Sequence, residues 1–139
     1  MTHESFKHIE QAFGVALPDW YRQQVIDYPF SEPDDAIYHD EASIVRANKE
    51  VRRVGWAGFP WPRECFVIGD GGSFFSYFIV PSTGDKRIFV ATHSPPPPYQ
   101  KLDDMVHAET IERFVAETKS DAIQRAERRR NKRWWQFWI

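Results

Sequence analysis

Cys65-Phe66-Val67-Ile68-Gly69-Asp70-Gly71-Gly72-Ser73-Phe74-Phe75-Ser76-Tyr77-Phe78-Ile79-Val80, with Arg87-Ile88-Phe89-Val90-Ala91 shortly after it, is the stretch that decides the fold class. Three runs, Cys65 to Ile68, Phe74 to Val80 and Arg87 to Ala91, are rich in the branched and aromatic residues that suit a pleated, half-buried surface. Gly69-Asp70-Gly71-Gly72 and Ser82-Thr83-Gly84-Asp85 lie between them and read as the connecting turns. Connections this short predict an antiparallel meander.

Working outward toward the N-terminus, the apolar spacing changes from two to about 3.6. Phe6, Ile9, Ala12 and Phe13 predict a helix over 4–13, with Gly14 as its left-handed cap. Leu17-Pro18-Asp19 restarts the chain with proline at the first helical position. Trp20, Tyr21, Val25 and Ile26 then supply the stripe of a second helix running to about Tyr28. Residues 29–41 are acidic and turn-rich, a solvated loop with a short strand expected at Ala36 to Tyr38. From Ala42 the pattern is helical again, with Ile44, Ala47, Asn48 and Val51 on one face and Gly55 as the stop. The prolines of Trp56-Ala57-Gly58-Phe59-Pro60-Trp61-Pro62 exclude regular structure there, and its aromatics are expected to close the rim of the core.

Toward the C-terminus, Pro95 to Pro98 reads as an extended polyproline linker. A last helix is expected from Asp103 or Asp104, its stripe made of Ile111, Phe114, Val115, Thr118, Ala122 and Ala126. The fold class this predicts is α+β, a mostly antiparallel sheet packed with N-terminal helices and a C-terminal helix. Residues 1–126 form a single domain and 127–139 a basic, aromatic tail.

Composition bounds the function. Eleven Phe, six Trp and five Tyr in 139 residues are too many for a disordered chain, and the length is enough to enclose a core. The single cysteine, Cys65, excludes an internal disulfide and reads as a small buried hydrophobe, in keeping with a cytoplasmic protein. No stretch is apolar enough to span a membrane, and the first residues do not resemble a secretion signal. Residues 1–118 carry 11 basic and 18 acidic side chains, a net of −7, whereas 119–139 carry 7 and 2, a net of +5. An acidic body argues against nucleic acid as the partner and favours a basic protein.

Sites of chemistry are not evident. The five histidines lack metal-ligand spacing, so no metal and no cofactor is expected. Gly69 to Gly72 is not followed by the Lys-Ser/Thr of a phosphate loop, and neither Ser73 nor Ser76 sits in a nucleophile elbow. No enzymatic function is expected. The one compositional oddity is Glu127-Arg128-Arg129-Arg130-Asn131-Lys132-Arg133 before Trp134-Trp135-Gln136-Phe137-Trp138-Ile139. Rings of this size each offer roughly 150–250 Å² for burial. Their cover is the chain's own domain or a second copy in a homodimer, a protein partner, or a membrane interface.

Leu17-Pro18-Asp19-Trp20-Tyr21 after a helix ending in Gly14, then Ile44 to Arg53 leading to Pro60-Trp61-Pro62 and Phe66 to Gly72, resemble the SUKH superfamily of Smi/Knr-type proteins. The resemblance spans roughly Glu4 to Val115, with Gly14, Leu17, Pro18, Trp61, Ile68, Gly69, Asp70, Gly71 and Gly72 as its structural motif. It departs from the family pattern at Tyr28-Pro29-Phe30 and at Ser73-Phe74. The resemblance implies a non-enzymatic immunity protein that binds a cognate bacterial toxin and covers its active site; the alternative is a regulatory adaptor docking a partner or membrane through the tail. The expected contacts are Asp34, Asp35, Tyr38, Asp40 and Glu41, then Trp56 and the tail rings Trp134, Trp135 and Trp138.

Overall fold

In the computed structural model the description covers residues 1–27, 36–72 and 74–137, without the side chains at 122 and 133–137. The described chain is an α+β domain: α1 (His3–Phe13), α2 (Asp19–Ile26), α3 (Glu41–Val54), β1 (Phe66–Gly72), β2 (Phe75–Ile79), β3 (Ile88–Ala91), β4 (Val106–Ala108) and α4 (Ile111–Phe137). The strands pair antiparallel in sequence order, the meander that the three β runs predict plus one further strand.

The helices begin and end for local reasons. Thr2 caps α1 by accepting from the Ser5 N–H at 3.1 Å, and Gly14 closes it at φ 62 with its N–H donating to Glu10. Pro18 stands one position earlier than expected, capping α2 rather than opening it, and Leu17 N–H donates to the Glu10 carboxylate at 3.0 Å. Asp40 caps α3 and Gly55 ends it.

Side chains alternate across the sheet. Phe66, Ile68, Ile79 and Ile88 face the layer built by Phe6, Ile9, Tyr21, Ile44, Ile111 and Phe114. Val67, Phe78, Phe89 and Ala91 face a second cluster closed by Val51, Trp61, Cys65 and Met105. Both faces are therefore covered, and each fully buried side chain of this size is worth roughly 1.5–3 kcal/mol. Trp61 is the rim plug the sequence predicts: its ring meets Phe78 edge-on at 5.3 Å, and its indole N–H donates to the Cys65 carbonyl at 2.9 Å.

The outer edge of β1 is fully engaged. Buried Asn48 on α3 donates from Nδ2 to the Val67 carbonyl and accepts the Val67 N–H on Oδ1, both at 2.9 Å. One residue further, Tyr38 N–H donates to Ile68 and Asp70 N–H donates to Ala36, so residues 36–38 form the short strand-like bridge expected there. A Cβ at position 69 would stand 2.0 Å from the Ala36 carbonyl oxygen, so this approach requires glycine.

Four expectations are corrected. Gly69 to Gly72 is not the turn but the end of β1, where Gly72 pairs with Phe75. The last helix starts at Ile111, because residues 102–105 make a 3-10 turn and Val106–Ala108 pair with β3. Pro95 to Pro98 is not an extended spacer; the chain turns through it, with Tyr99 N–H donating to Pro96 at 3.0 Å. The stripe of α4 is buried at Thr118 and exposed at Ala126, yet the helix itself continues without a break from Ile111 to Phe137.

Candidate interaction surface

A cleft of about 500 Å³ opens where the C-terminal half of α3 meets the tip of the β1–β2 hairpin. Two of the expected contact residues line it, Tyr38 from the edge segment and Trp56 from the loop after α3, together with Glu50, Val54, Phe74 and His93. Trp56 is held rigidly: its indole N–H donates to the Thr92 carbonyl at 2.6 Å and its ring meets Trp61 edge-on at 6.1 Å. Tyr38 is half-buried, and burial together with the Asp70 carboxylate pushes its hydroxyl above the usual tyrosine range against the pull of Arg46. The phenol stays neutral near pH 7 and is a donor toward the cleft's surroundings.

Phe74 dominates the rim. It is 66% exposed, and its backbone sits at φ 64, a left-handed conformation that side chains with a Cβ rarely adopt. Such a residue costs of order 1–3 kcal/mol in backbone strain, with only partial burial of its own ring to offset it. Its nearest aromatic neighbour is the exposed His93, ring centres 4.8 Å apart, and Phe75 joins the same group at 6.4 Å. With Val54 at 56% exposed across the cleft, these rings make an apolar patch with a single carboxylate, Glu50, among its lining residues.

The acidic candidates are dispersed. Asp40 does not line the cleft; it accepts from Ser43 N–H and Ser43 Oγ, both at 2.7 Å. Partial burial pushes its carboxyl up, but those bonds and the charges of His39 and Arg46 outweigh it and leave it below the usual carboxylate range. Glu41 stands in the first turn of α3, 3.3 Å from His8. Asp34, Asp35 and Trp138 lie outside the described residues. Trp134 and Trp135 are on the continuous last turns of α4, their side chains outside the description. Of the motif residues, Gly14, Leu17, Pro18, Trp61, Ile68 and Gly69 are structural, while Asp70, Gly71 and Gly72 line a polar cavity of about 420 Å³ against Tyr77, Asp121 and Arg128 of the facing elements.

Sequence reasoning missed Phe74, His93, Val54 and Glu50. The available signal was Ser73-Phe74 itself, a bulky ring two residues past a run of three glycines in four residues. Cys65 lies 1% exposed and its thiol is pushed up to about 12, by burial first and Glu64 second, so it is no nucleophile at neutral pH. Among the described residues no three His, Cys, Asp or Glu side chains gather as metal ligands would, and no helix is long and apolar enough to cross a membrane. The chain has no significant match among protein-family models, curated proteins or solved structures.

Proposed function

We propose that this protein works by binding another protein through the cleft and hairpin tip, as a cytoplasmic immunity protein that covers the active site of a cognate bacterial toxin. The observation that carries the reading is Phe74, a large ring exposed on a strained backbone beside an apolar cleft anchored by Trp56 and Tyr38. Strain at an exposed aromatic is retained where a partner uses the residue, and desolvated aromatic anchors supply most of the energy of protein interfaces. The likeness of the Leu17-Pro18 and Ile68 to Gly72 segments to the SUKH superfamily supports a toxin as the partner, and the net −7 of residues 1–118 supports one with a basic active cleft.

The test is co-expression with the product of the adjacent reading frame. Cells carrying the intact protein are expected to survive and the two products to co-purify. Phe74→Asp places a charge in the interface without touching the core, so it should abolish protection while leaving the melting temperature unchanged or higher. Full protection by Phe74→Asp would remove this surface from the reading, and failure of the intact chain to protect against any neighbouring toxin would end the immunity assignment.

A further inference from the structure

On the far side of α3 from the hairpin tip's residues in sequence, a second large cavity, about 700 Å³, is lined by the end of α1, Arg52, Arg63, Glu64, Pro81 and Ser82. Two guanidinium groups face one space, and neither has a carboxylate within 4.0 Å among the described residues. Arg52 stacks on the Phe13 ring, its Cζ 4.9 Å from the centroid. One of its terminal nitrogens donates to the Arg63 carbonyl at 3.5 Å, the outer limit of a hydrogen bond. Its Nε is closed off from solvent and has no hydrogen-bond partner among the described residues. Burial and the neighbouring Arg63 charge both lower the Arg52 pKa.

An arginine so placed costs stability. A buried N–H without an acceptor is destabilising, and the second guanidinium adds repulsion. Arg87, by contrast, forks onto Asp85 and reaches Asp103, and Arg22 lies against Glu10 and Asp19. Arg52 and Arg63 have no such pairing among the described residues, and both line the cavity.

We propose that this cavity is a binding site for a phosphomonoester carried on a small apolar body. A phosphoryl dianion between the two guanidiniums pairs with both, Glu64 being the one carboxylate on the same lining, and its three oxygens match the planar donor forks of arginine. Exchange of the weak Arg63 carbonyl contact for a ligand oxygen frees the Arg52 fork to turn, which gives the Nε–H an acceptor. The Ser82 hydroxyl is a further donor on the wall, and Ala12, Phe13, Val15 and Pro81 offer the apolar surface that takes the body of the ligand. The site is independent of the toxin-binding reading, because none of its lining residues belongs to the cleft at Phe74.

Titration of the intact chain with phenyl phosphate, followed by calorimetry and by the Arg side-chain N–H resonances, tests it. Saturable binding with a dissociation constant of about 1 mM or tighter is expected, with the Arg52 Nε–H resonance shifting along the same isotherm. Arg63→Gln, at an exposed position, and Arg52→Lys, which keeps the charge and the stem over Phe13, should each weaken binding about tenfold or more, the worth of one charge-assisted hydrogen bond. Benzoate should bind at least tenfold more weakly than phenyl phosphate, in line with its single charge. No saturation by about 10 mM phenyl phosphate, equal binding of benzoate, or unchanged binding in folded Arg63→Gln would each overturn the proposal.

Discussion

A proton held by a buried side chain makes stability depend on pH, and here the sign is set by Cys65 and Tyr21. Both are essentially inaccessible, and burial raises both above their ordinary values of 9.0 and 10.0, Cys65 to about 12. Because the folded protein keeps each proton longer than the unfolded chain does, the contribution is complete below pH 9 and is lost as pH rises toward 12. The loss per group is at most about 1.4 kcal/mol per pH unit. Urea unfolding of the intact chain should therefore show a falling midpoint between pH 8 and 10.5, and Cys65→Ala should flatten that fall. An identical fall in the variant would place the alkaline sensitivity elsewhere. Tyr21 adds to it only above pH 10, and its hydroxyl has no hydrogen-bond partner among the described residues, so the ring rather than the phenol is what the core uses.

At the scale of elements, Asn48 supplies the polar part of the joint between α3 and β1. Asn48 satisfies both backbone groups of Val67 at once, and Asn48→Leu would leave a buried N–H and a buried carbonyl unpaired. That should cost about 3 kcal/mol, measured as a lower denaturation midpoint with secondary structure retained; a variant as stable as the parent would show that the pairing is replaceable. The apolar face of α3 was legible in the sequence, Asn48 included, but its partner was not, since Val67 lies 19 residues away. The same limit explains the misread glycines. Locally Gly69 to Gly72 has the composition of a turn, and only the approach of Ala36 from another part of the chain keeps Gly69 inside a strand. The three residues of β4 were invisible for the converse reason: His107 interrupts no pattern, and their strand character comes entirely from pairing with Ile88 and Phe89. Helices α1 to α3 and strands β1 to β3 were readable because their periodicity and caps are local. Of the candidate surface, Tyr38 and Trp56 were named from residue type, whereas Phe74 and His93 became neighbours only through the β2–β3 pairing that sets Ser76 opposite Ala91.

For the molecule as a whole, charge is divided between a body of −7 and a last stretch of +5, and α4 carries the positive part out along one continuous helix. A body with that field attracts a basic partner over a distance of about 10 Å at 0.1 M salt. Association with the proposed toxin partner should accordingly be fast at low ionic strength and slow several-fold by about 0.5 M salt in stopped-flow mixing, with dissociation changed far less. Rates indifferent to salt would mean that shape at the cleft acts alone. The sheet itself carries a further consequence. With Asn48 and residues 36–38 occupying the outer side of β1 from Val67 to Asp70, a stray extended chain finds little vacant ladder there to zip onto, and the three-residue β4 is a short template on the opposite flank. Both flanks of a sheet rich in Phe, Ile and Val thus offer little purchase for edge-to-edge aggregation.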